Sequence, residues 1–309
     1  MAPSQLPSAS SHLPIFLAGP TAVGKSAVAF ALAEKTGGEI ISVDSMQVYR
    51  GLDIGTAKPT VEERTRVPHH LLDVCDLNKS FDAAQFVRLA QKAVEEIQSR
   101  GRTPIFCGGT GLYFKAFLEG LGDAPPSDEK LRAELESMPL EKLLEELREC
   151  DPATFEKIDR QNPRRVIRAV EVIRLTGRKF SEQRAEWETQ NPKPKTQNYF
   201  SFTRSAADLQ RRINMRVDEM FARGLVDETR DLLKHGLAEN KFAMQAIGYR
   251  EVVEHLRGER GLAETIELVK IKTRQFAKRQ LTWFRRHGNC QWIELPPGET
   301  VKDTLSRLA

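Results

Sequence analysis

Short runs of consecutive apolar residues alternate along the chain with longer stretches in which apolar positions recur every three or four residues. Ile15-Phe16-Leu17-Ala18 is the first such run and reads as a strand buried on both faces. An Ala-rich stretch from Ala27 to Ala33 follows, with high helix propensity. Glu39-Ile40-Ile41-Ser42-Val43 reads as a second buried strand and ends at Asp44-Ser45-Met46-Gln47. Residues 48–80 keep no sustained period and carry Gly51, Gly55, Pro59 and Pro68, which predicts mostly loop. A helix is expected over about 82–99, with Ser80 or Asp82 as N-cap and Gly101 past its end. Pro104-Ile105-Phe106-Cys107 is a third strand, running into Gly108-Gly109-Thr110-Gly111. Strands and helices alternating in this order predict an α/β fold with a parallel sheet flanked by helices. Ligands of such sheets bind beyond the carboxyl ends of the strands, where Asp44, Thr110 and the loop after Ala18 all fall.

Gly120 to Ser127 is the clearest interruption in the pattern. Helical periodicity then resumes at about 128–149, 151–158 and 163–176, the last two opened by Asp151-Pro152 and Asn162-Pro163. Lys193-Pro194-Lys195 closes this stretch and Tyr199-Phe200-Ser201-Phe202 returns as a strand. Amphipathic helices are expected at about 206–222, 225–235 and 262–286, with Gln291 to Leu295 as a last strand. The predicted organisation is a disordered tail over 1–12, a core domain from 13–122 and 196–309, and a helical insertion domain over 123–195.

At 309 residues, 40% hydrophobic and 29% charged, the composition is that of an ordinary globular protein. No window approaches 18 apolar residues, so no membrane span is expected. The Ser/Pro-rich first twelve residues lack the basic and apolar regions of a signal peptide. Cys75, Cys107, Cys150 and Cys290 are scattered without C-x-x-C spacing, which argues against a zinc site or a disulfide framework. Cys107, in an apolar run, reads as core packing. A reducing, cytoplasmic setting follows.

Charge distribution adds a partner. Residues 1–122 balance twelve basic against twelve acidic residues, and 123–150 hold nine acidic against four basic. Residues 151–309 then carry 31 basic and 22 acidic residues. A basic half following a neutral half suggests an anionic macromolecule, although the same counts also describe a solvated charged surface.

Gly19-Pro20-Thr21-Ala22-Val23-Gly24-Lys25-Ser26 matches the phosphate-loop pattern G-x-x-x-x-G-K-[ST] in its required strand–loop–helix setting. The glycines let backbone N–H groups, including those of Thr21, Ala22 and Val23, close around phosphate oxygens at a helix N-terminus. Lys25 adds a charge, and the Ser26 hydroxyl is placed to ligate Mg²⁺. Asp44, ending a strand beside that loop, could bind the metal, act as a general base, or merely cap a turn. Gln47, Tyr49 and Arg50 offer hydrogen-bonding and stacking groups near the same mouth. Arg211, Arg212 and Arg216 lie at helical spacing, and any of them could fold onto bound phosphate as a clamp. Arg164, Arg165 and Arg168 share one side of a helix. Ile271 to Cys290 contains Lys272, Arg274, Lys278, Arg279, Arg285 and Arg286 without an acidic residue, interleaved with Gln275, Phe276, Gln280, Trp283 and Phe284. That mixture suits phosphate contacts combined with stacking on unpaired bases. At least two of the three aromatics are expected on the buried face of the helix.

The run from Asp44 to Pro59 resembles the tRNA dimethylallyltransferases, as does the phosphate loop itself. Pro68-His69-His70, Gly108 to Tyr113, Asn162 to Arg165, Ala246 to Arg250 and Arg279 to Arg285 agree with the same family. The resemblance extends from about residue 13 to 295, with the P-loop NTPase-like fold that it implies. The zinc-finger tail of the eukaryotic members has no counterpart, so the likeness is to the bacterial form. By resemblance, the dimethylallyl group of dimethylallyl diphosphate passes to N6 of the adenosine just 3′ of the anticodon. Asp44 would accept the amine proton, Thr110 would donate to the bridging oxygen, and Arg216 would be the clamp. The tRNA anticodon stem-loop would meet Ser45, Met46, Gln47, Tyr49, the arginines of the insertion, Gln245, Gly248, Arg250 and the segment carrying Lys278, Arg279, Gln280, Trp283 and Arg285. Mg²⁺ is the expected cofactor and a monomer the expected state. A phosphate-loop small-molecule kinase, a nucleotide-switched RNA-binding module and an adenylate isopentenyltransferase stay open as alternatives.

Overall fold

A computed structural model describes residues 12–121, 125–183 and 198–308. The chain divides into two compact units, Met1–Phe117 with Lys195–Ala309, and Leu118–Pro194. The expected N-terminal tail and the Lys193-Pro194-Lys195 closure lie almost wholly outside the described residues.

In the larger unit, β1 (Ile15–Ala18), β2 (Glu39–Val43) and β4 (Pro104–Gly108) are the three expected strands. β3 (His69–His70), β5 (Tyr199–Thr203) and β6 (Gln291–Glu294) complete one parallel sheet of order β3-β2-β4-β1-β5-β6. β1, β2 and β4 are wholly or almost wholly buried, which is why they read as continuous apolar runs rather than alternating ones. Their register aligns their ends. Ala18 lies opposite Gly108 and Gly108 opposite Val43, so three neighbouring strands stop level with one another.

Helix α1 (Lys25–Thr36) buries Val28, Ala29, Leu32 and Ala33 in the core built around Leu17, Ile105 and Phe202. α2 (Val61–Arg66), α3 (Ala83–Ser99) and α4 (Gly111–Glu119) follow. α2 lies in the stretch expected to be mostly loop. Its signal was present as a capping box, Thr60 accepting from the Glu63 N–H and Glu63 accepting from the Thr60 N–H.

The smaller unit contains α5 (Glu129–Ser137), α6 (Leu140–Cys150), α7 (Pro152–Lys157) and α8 (Pro163–Thr176) around Leu135, Leu143, Leu147, Val166 and Val170. The helix expected over 128–149 is two helices. Met138 is extended (φ −82°, ψ 146°), as a residue before proline prefers, and Pro139 then starts the next helix. Buried Glu171 accepts from Ser127, Arg132 and Arg168.

The chain returns to the larger unit through β5. There α9 (Ala206–Ala222), α10 (Leu225–Lys234), α11 (Tyr249–Leu256), α12 (Leu262–His287) and α13 (Val301–Ser306) complete it. Among the described residues no helix is long and apolar enough to cross a membrane.

Candidate active site

The level ends of β1, β2 and β4 deliver three segments to one edge of the sheet: the loop Gly19–Gly24, Asp44-Ser45, and Gly109-Thr110. Gly24 (φ 107°) and Ala22 (φ 62°) both adopt left-handed backbone. For an alanine that conformation costs on the order of 1–3 kcal/mol and persists only where the surroundings impose it. Three side chains impose it from outside the loop. Arg212 Nε donates to the Ala22 carbonyl at 2.8 Å and Arg204 Nε to the Val23 carbonyl at 2.7 Å. Gln280 Oε1 accepts from the Thr21 N–H at 2.9 Å. Arg204 is itself held by Asp208 at 2.9 Å.

A cavity of about 380 Å³ opens over the start of α1, lined by Gly24, Lys25, Ser26, Arg212 and Arg216 among others. Its electrostatics are those of an anion site. Burial pushes the Lys25 ammonium below its ordinary value, and the nearby Arg216 pushes it in the same direction, while Cys107 and Asp44 oppose them. Burial likewise lowers Arg216, with Asp44 the main opposing charge. Lys25 Nζ donates to the Pro20 carbonyl at 3.2 Å. Among the described residues neither cation has a salt bridge to a carboxylate. Two half-buried cations lining one cavity without a carboxylate in contact favour an anion that arrives from outside. Cys107 lies beneath them, its thiol pushed up to about 11 by burial. It is neutral and packs, as expected.

Asp44 Oδ1 accepts from the N–H groups of Met46 and Gln47 at 2.8 and 3.3 Å. Among the described residues no donor reaches Oδ2. The turn-capping and the chemical readings of this aspartate are thus compatible, one oxygen serving each. Thr110 Oγ1 accepts from the Ser45 N–H at 3.1 Å, which leaves its own proton free to be donated. Ser26 is exposed at the first turn of α1. One hydroxyl with a carboxylate nearby is a donor set that fits Mg²⁺, which keeps several waters and takes its other ligands from substrate phosphates.

The residues expected to meet RNA divide. Arg164 and Arg165 of α8 are exposed, as are Gln245, Arg250, Lys278, Arg279 and Arg285 in the larger unit. Ser45 and Met46 are half-buried at the edge of the site. Others are engaged internally, against expectation. Tyr49 is 1% exposed in the core with Leu52, Leu225 and Tyr249, so its ring offers no stacking face. Gln47 accepts from Ser42 and donates to the carbonyls of Thr56 and Ala57, which spends its amide on the following loop. Arg168 donates to Glu171 and to the Pro125 carbonyl. Gly248 is buried, its N–H held by Glu251. Gln280 is 7% exposed, and its Nε2 donates to the Gly109 carbonyl at 2.9 Å. Of the three aromatics of α12, only Phe284 is fully buried, against Phe114. Trp283 is half-buried and Phe276 is exposed beneath the Arg279 guanidinium.

Several supporting residues escaped the sequence reading. Glu228 accepts from the N–H groups of Ile54 and Gly55 and from the Tyr249 hydroxyl. Lys58, almost wholly buried, donates to the Tyr49 carbonyl, Asp53 and Asp73. Together they pin the loop that follows Asp44. Arg204 carried one signal, its place just past the carboxyl end of a strand.

The family model described as IPP transferase matches residues 47–287. A tRNA dimethylallyltransferase of Geobacter metallireducens is 46% identical over 287 residues, covering 91% of this chain and 92% of that protein. One from Thermotoga neapolitana is 41% identical over 300 residues. Among solved structures, the tRNA isopentenylpyrophosphate transferase of Bacillus halodurans is 41% identical with a TM-score of 0.69, over 96% of this chain and 94% of that one. A eukaryotic dimethylallyltransferase acting on tRNA is 29% identical with a TM-score of 0.80, over 96% and 77%.

Proposed function

Because the chain belongs to the IPP transferase family, we propose that it transfers the dimethylallyl group of dimethylallyl diphosphate to N6 of the adenosine on the 3′ side of the tRNA anticodon. The observation that supports this most is the pairing of two half-buried cations, Lys25 and Arg216, beside one cavity, with a carboxylate whose second oxygen is free.

The diphosphate lies in the loop Gly19–Ser26, its charge met by backbone N–H groups, Lys25 and Arg216. As the C1–O bond of the allylic donor breaks, the electron pair leaves with the diphosphate, and these groups stabilise the charge that develops there. Thr110 donates its hydroxyl proton in a hydrogen bond to the bridging oxygen. The adenine N6 lone pair forms the new N–C bond, and Asp44 Oδ2 accepts the proton that N6 loses. Mg²⁺, held by the Ser26 hydroxyl, would supply further neutralisation of the leaving group. The target base leaves the anticodon-loop stack to reach this edge of the sheet. Exposed Arg164, Arg165, Arg250, Lys278, Arg279 and Arg285 contact the stem-loop, as arginines and lysines do on phosphates and single-stranded bases. One chain carries every residue the reaction uses, so it acts as a monomer. Its four free cysteines suit a reducing, cytoplasmic setting.

Incubation with labelled dimethylallyl diphosphate and total tRNA, with labelled ATP as rival donor, tests the assignment. Label should enter tRNA from the prenyl donor alone. Label that moves only from ATP, or binding without transfer, contradicts it.

A further inference from the structure

Helix α12 presents two faces. Ala277, Gln280 and Phe284 are buried, whereas Lys278, Arg279, Arg285 and Arg286 face solvent. Gln280 uses both ends of its amide on the protein: it accepts from the Thr21 N–H and donates to the Gly109 carbonyl, each at 2.9 Å. The approach is close: a Cβ at residue 109 would stand 2.2 Å from Gln280 Nε2, so any side chain there would have to displace the amide from its two partners. One turn further along, Trp283 lies over Gly111, where a Cβ would also meet the ring at 2.2 Å. The same helix face therefore closes on the Gly109-Thr110-Gly111 segment at two points. That segment continues the connection, because Thr110 Oγ1 accepts from the N–H of Ser45, the neighbour of Asp44.

We propose that Gln280 is a positioning residue for the transfer. It straps the phosphate loop to the segment bearing Thr110 and so fixes the diphosphate relative to the Asp44 carboxylate. This role rests on the prenyl-transfer assignment. The side-chain chemistry is specific. The position requires an acceptor facing an N–H and a donor facing a carbonyl, and the glutamine amide supplies both from one planar group. A carboxylate would turn a second oxygen against the Gly109 carbonyl. A thioether of equal length would leave two buried backbone groups unpaired. Gln280 touches neither reactant, and it stands on the face of α12 opposite the exposed cations.

Three proteins separate the alternatives: the wild type, Gln280→Met and Gln280→Glu. For each, the affinity for inorganic diphosphate with Mg²⁺ is measured without RNA. The affinity for an anticodon stem-loop, and kcat and KM for dimethylallyl diphosphate, are measured beside it. Thermal unfolding reports whether each variant is folded. Gln280→Met should bind diphosphate about tenfold more weakly, the consequence of losing buried hydrogen bonds, and should lose kcat as well. Its stem-loop affinity should stay within about twofold, below the size of even one lost hydrogen bond. Gln280→Glu, which keeps the acceptor but sets a buried negative charge against the Gly109 carbonyl, should weaken diphosphate at least as much, again with stem-loop affinity within about twofold. It decides the matter by the same readings if the methionine variant does not fold. Weaker stem-loop binding with unchanged diphosphate affinity makes Gln280 an RNA contact and overturns the proposal. Equal loss of both, or of neither, also overturns it. A wild type that transfers no prenyl group would end the functional reading instead, and the diphosphate measurement would still judge the strap.

Discussion

Strand β2 begins at a buried charge and ends beside half-buried ones, and the two ends of the sheet treat charge in opposite ways. At the amino end Glu39 is 2% exposed, and it accepts from Arg100 at 2.7 and 3.1 Å, from Arg102 at 3.1 Å and from His70 at 2.6 Å. Burial alone would raise this carboxyl, but hydrogen bonds from Arg100 and His70 outweigh it and hold the group below its usual value. At the carboxyl end Lys25 and Arg216 are lowered by burial, Arg216 adds to the lowering of Lys25, and neither cation is in salt-bridge contact with a carboxylate among the described residues. Two lysines repeat the contrast. Lys58 has three oxygen acceptors, two of them carboxylates, whereas Lys25 has one backbone carbonyl. A buried charge left unmatched costs several kcal/mol. Lys25 and Arg216, half-buried, carry part of that cost at the end of the sheet where a ligand can offset it. Matched charge marks what holds the structure, and unmatched charge marks what the structure is for.

The contrast can be broken at either end. Removing the acceptor at the reactive end has the largest expected effect: Asp44→Ala should lower turnover about 10²–10⁴-fold, the range for a general base. Diphosphate and stem-loop affinities should stay near wild type. If RNA binding collapsed while turnover held, the role given to Asp44 would be wrong. Arg216→Gln should lower kcat about 10²–10³-fold, as loss of one preorganised donor to a developing charge does. It should also weaken inorganic diphosphate, measurable by calorimetry.

The pH dependence sharpens the comparison. Because Lys25 is lowered in the free protein, binding an anion beside it restores its proton above that lowered value. Diphosphate affinity should therefore fall with rising pH, by up to about tenfold per unit for a single linked proton. The fall should begin below about 10.4, where an ordinary lysine titrates. Calorimetry in buffers of different ionisation heat would register the proton uptake, and a flat profile up to that pH would contradict it.

The smallest effect on the reaction comes from the amino end. Glu39→Gln should cost about 1–3 kcal/mol of stability, the scale for a buried hydrogen-bonding group that loses its match, and should leave diphosphate affinity unchanged. The carboxylate is depressed in the folded state. Its contribution is complete above the ordinary glutamate value of about 4.3 and fades as pH falls through the lowered one. Denaturant titrations of both proteins at pH 7 and pH 3 would show the gap closing in acid.

The sequence carried this contrast only in part. The strands that deliver the site were legible because both their faces are buried, which makes Ile15–Ala18, Glu39–Val43 and Pro104–Gly108 unbroken apolar runs. Gly19–Ser26 was legible because its spacing serves one backbone geometry. The break at Met138-Pro139 was written in the proline, and α2 in its Thr60–Glu63 box, but a longer periodicity and a run of turn residues overrode them. What could not be read was how polar side chains spend their hydrogen bonds. Gln47, Tyr49 and Gln280 have the residue types of RNA contacts, yet the core, a neighbouring loop and the phosphate loop claim them. Gln280 meets Thr21 across 259 positions of sequence, and Arg212 meets Ala22 across 190. No local pattern encodes such pairs.

The central claim is that the unmatched cations receive the diphosphate of an allylic donor while the free oxygen of Asp44 faces the carbon being transferred. A crystal structure of Asp44→Asn with dimethylallyl diphosphate and Mg²⁺ tests it most directly. Diphosphate oxygens should lie about 3 Å from Lys25 Nζ and the Arg216 guanidinium, within ordinary hydrogen-bonding distance. The prenyl C1 should point toward residue 44 across a gap that admits a purine. A diphosphate bound away from both cations, or a prenyl chain that fills the space beside residue 44, would contradict the account.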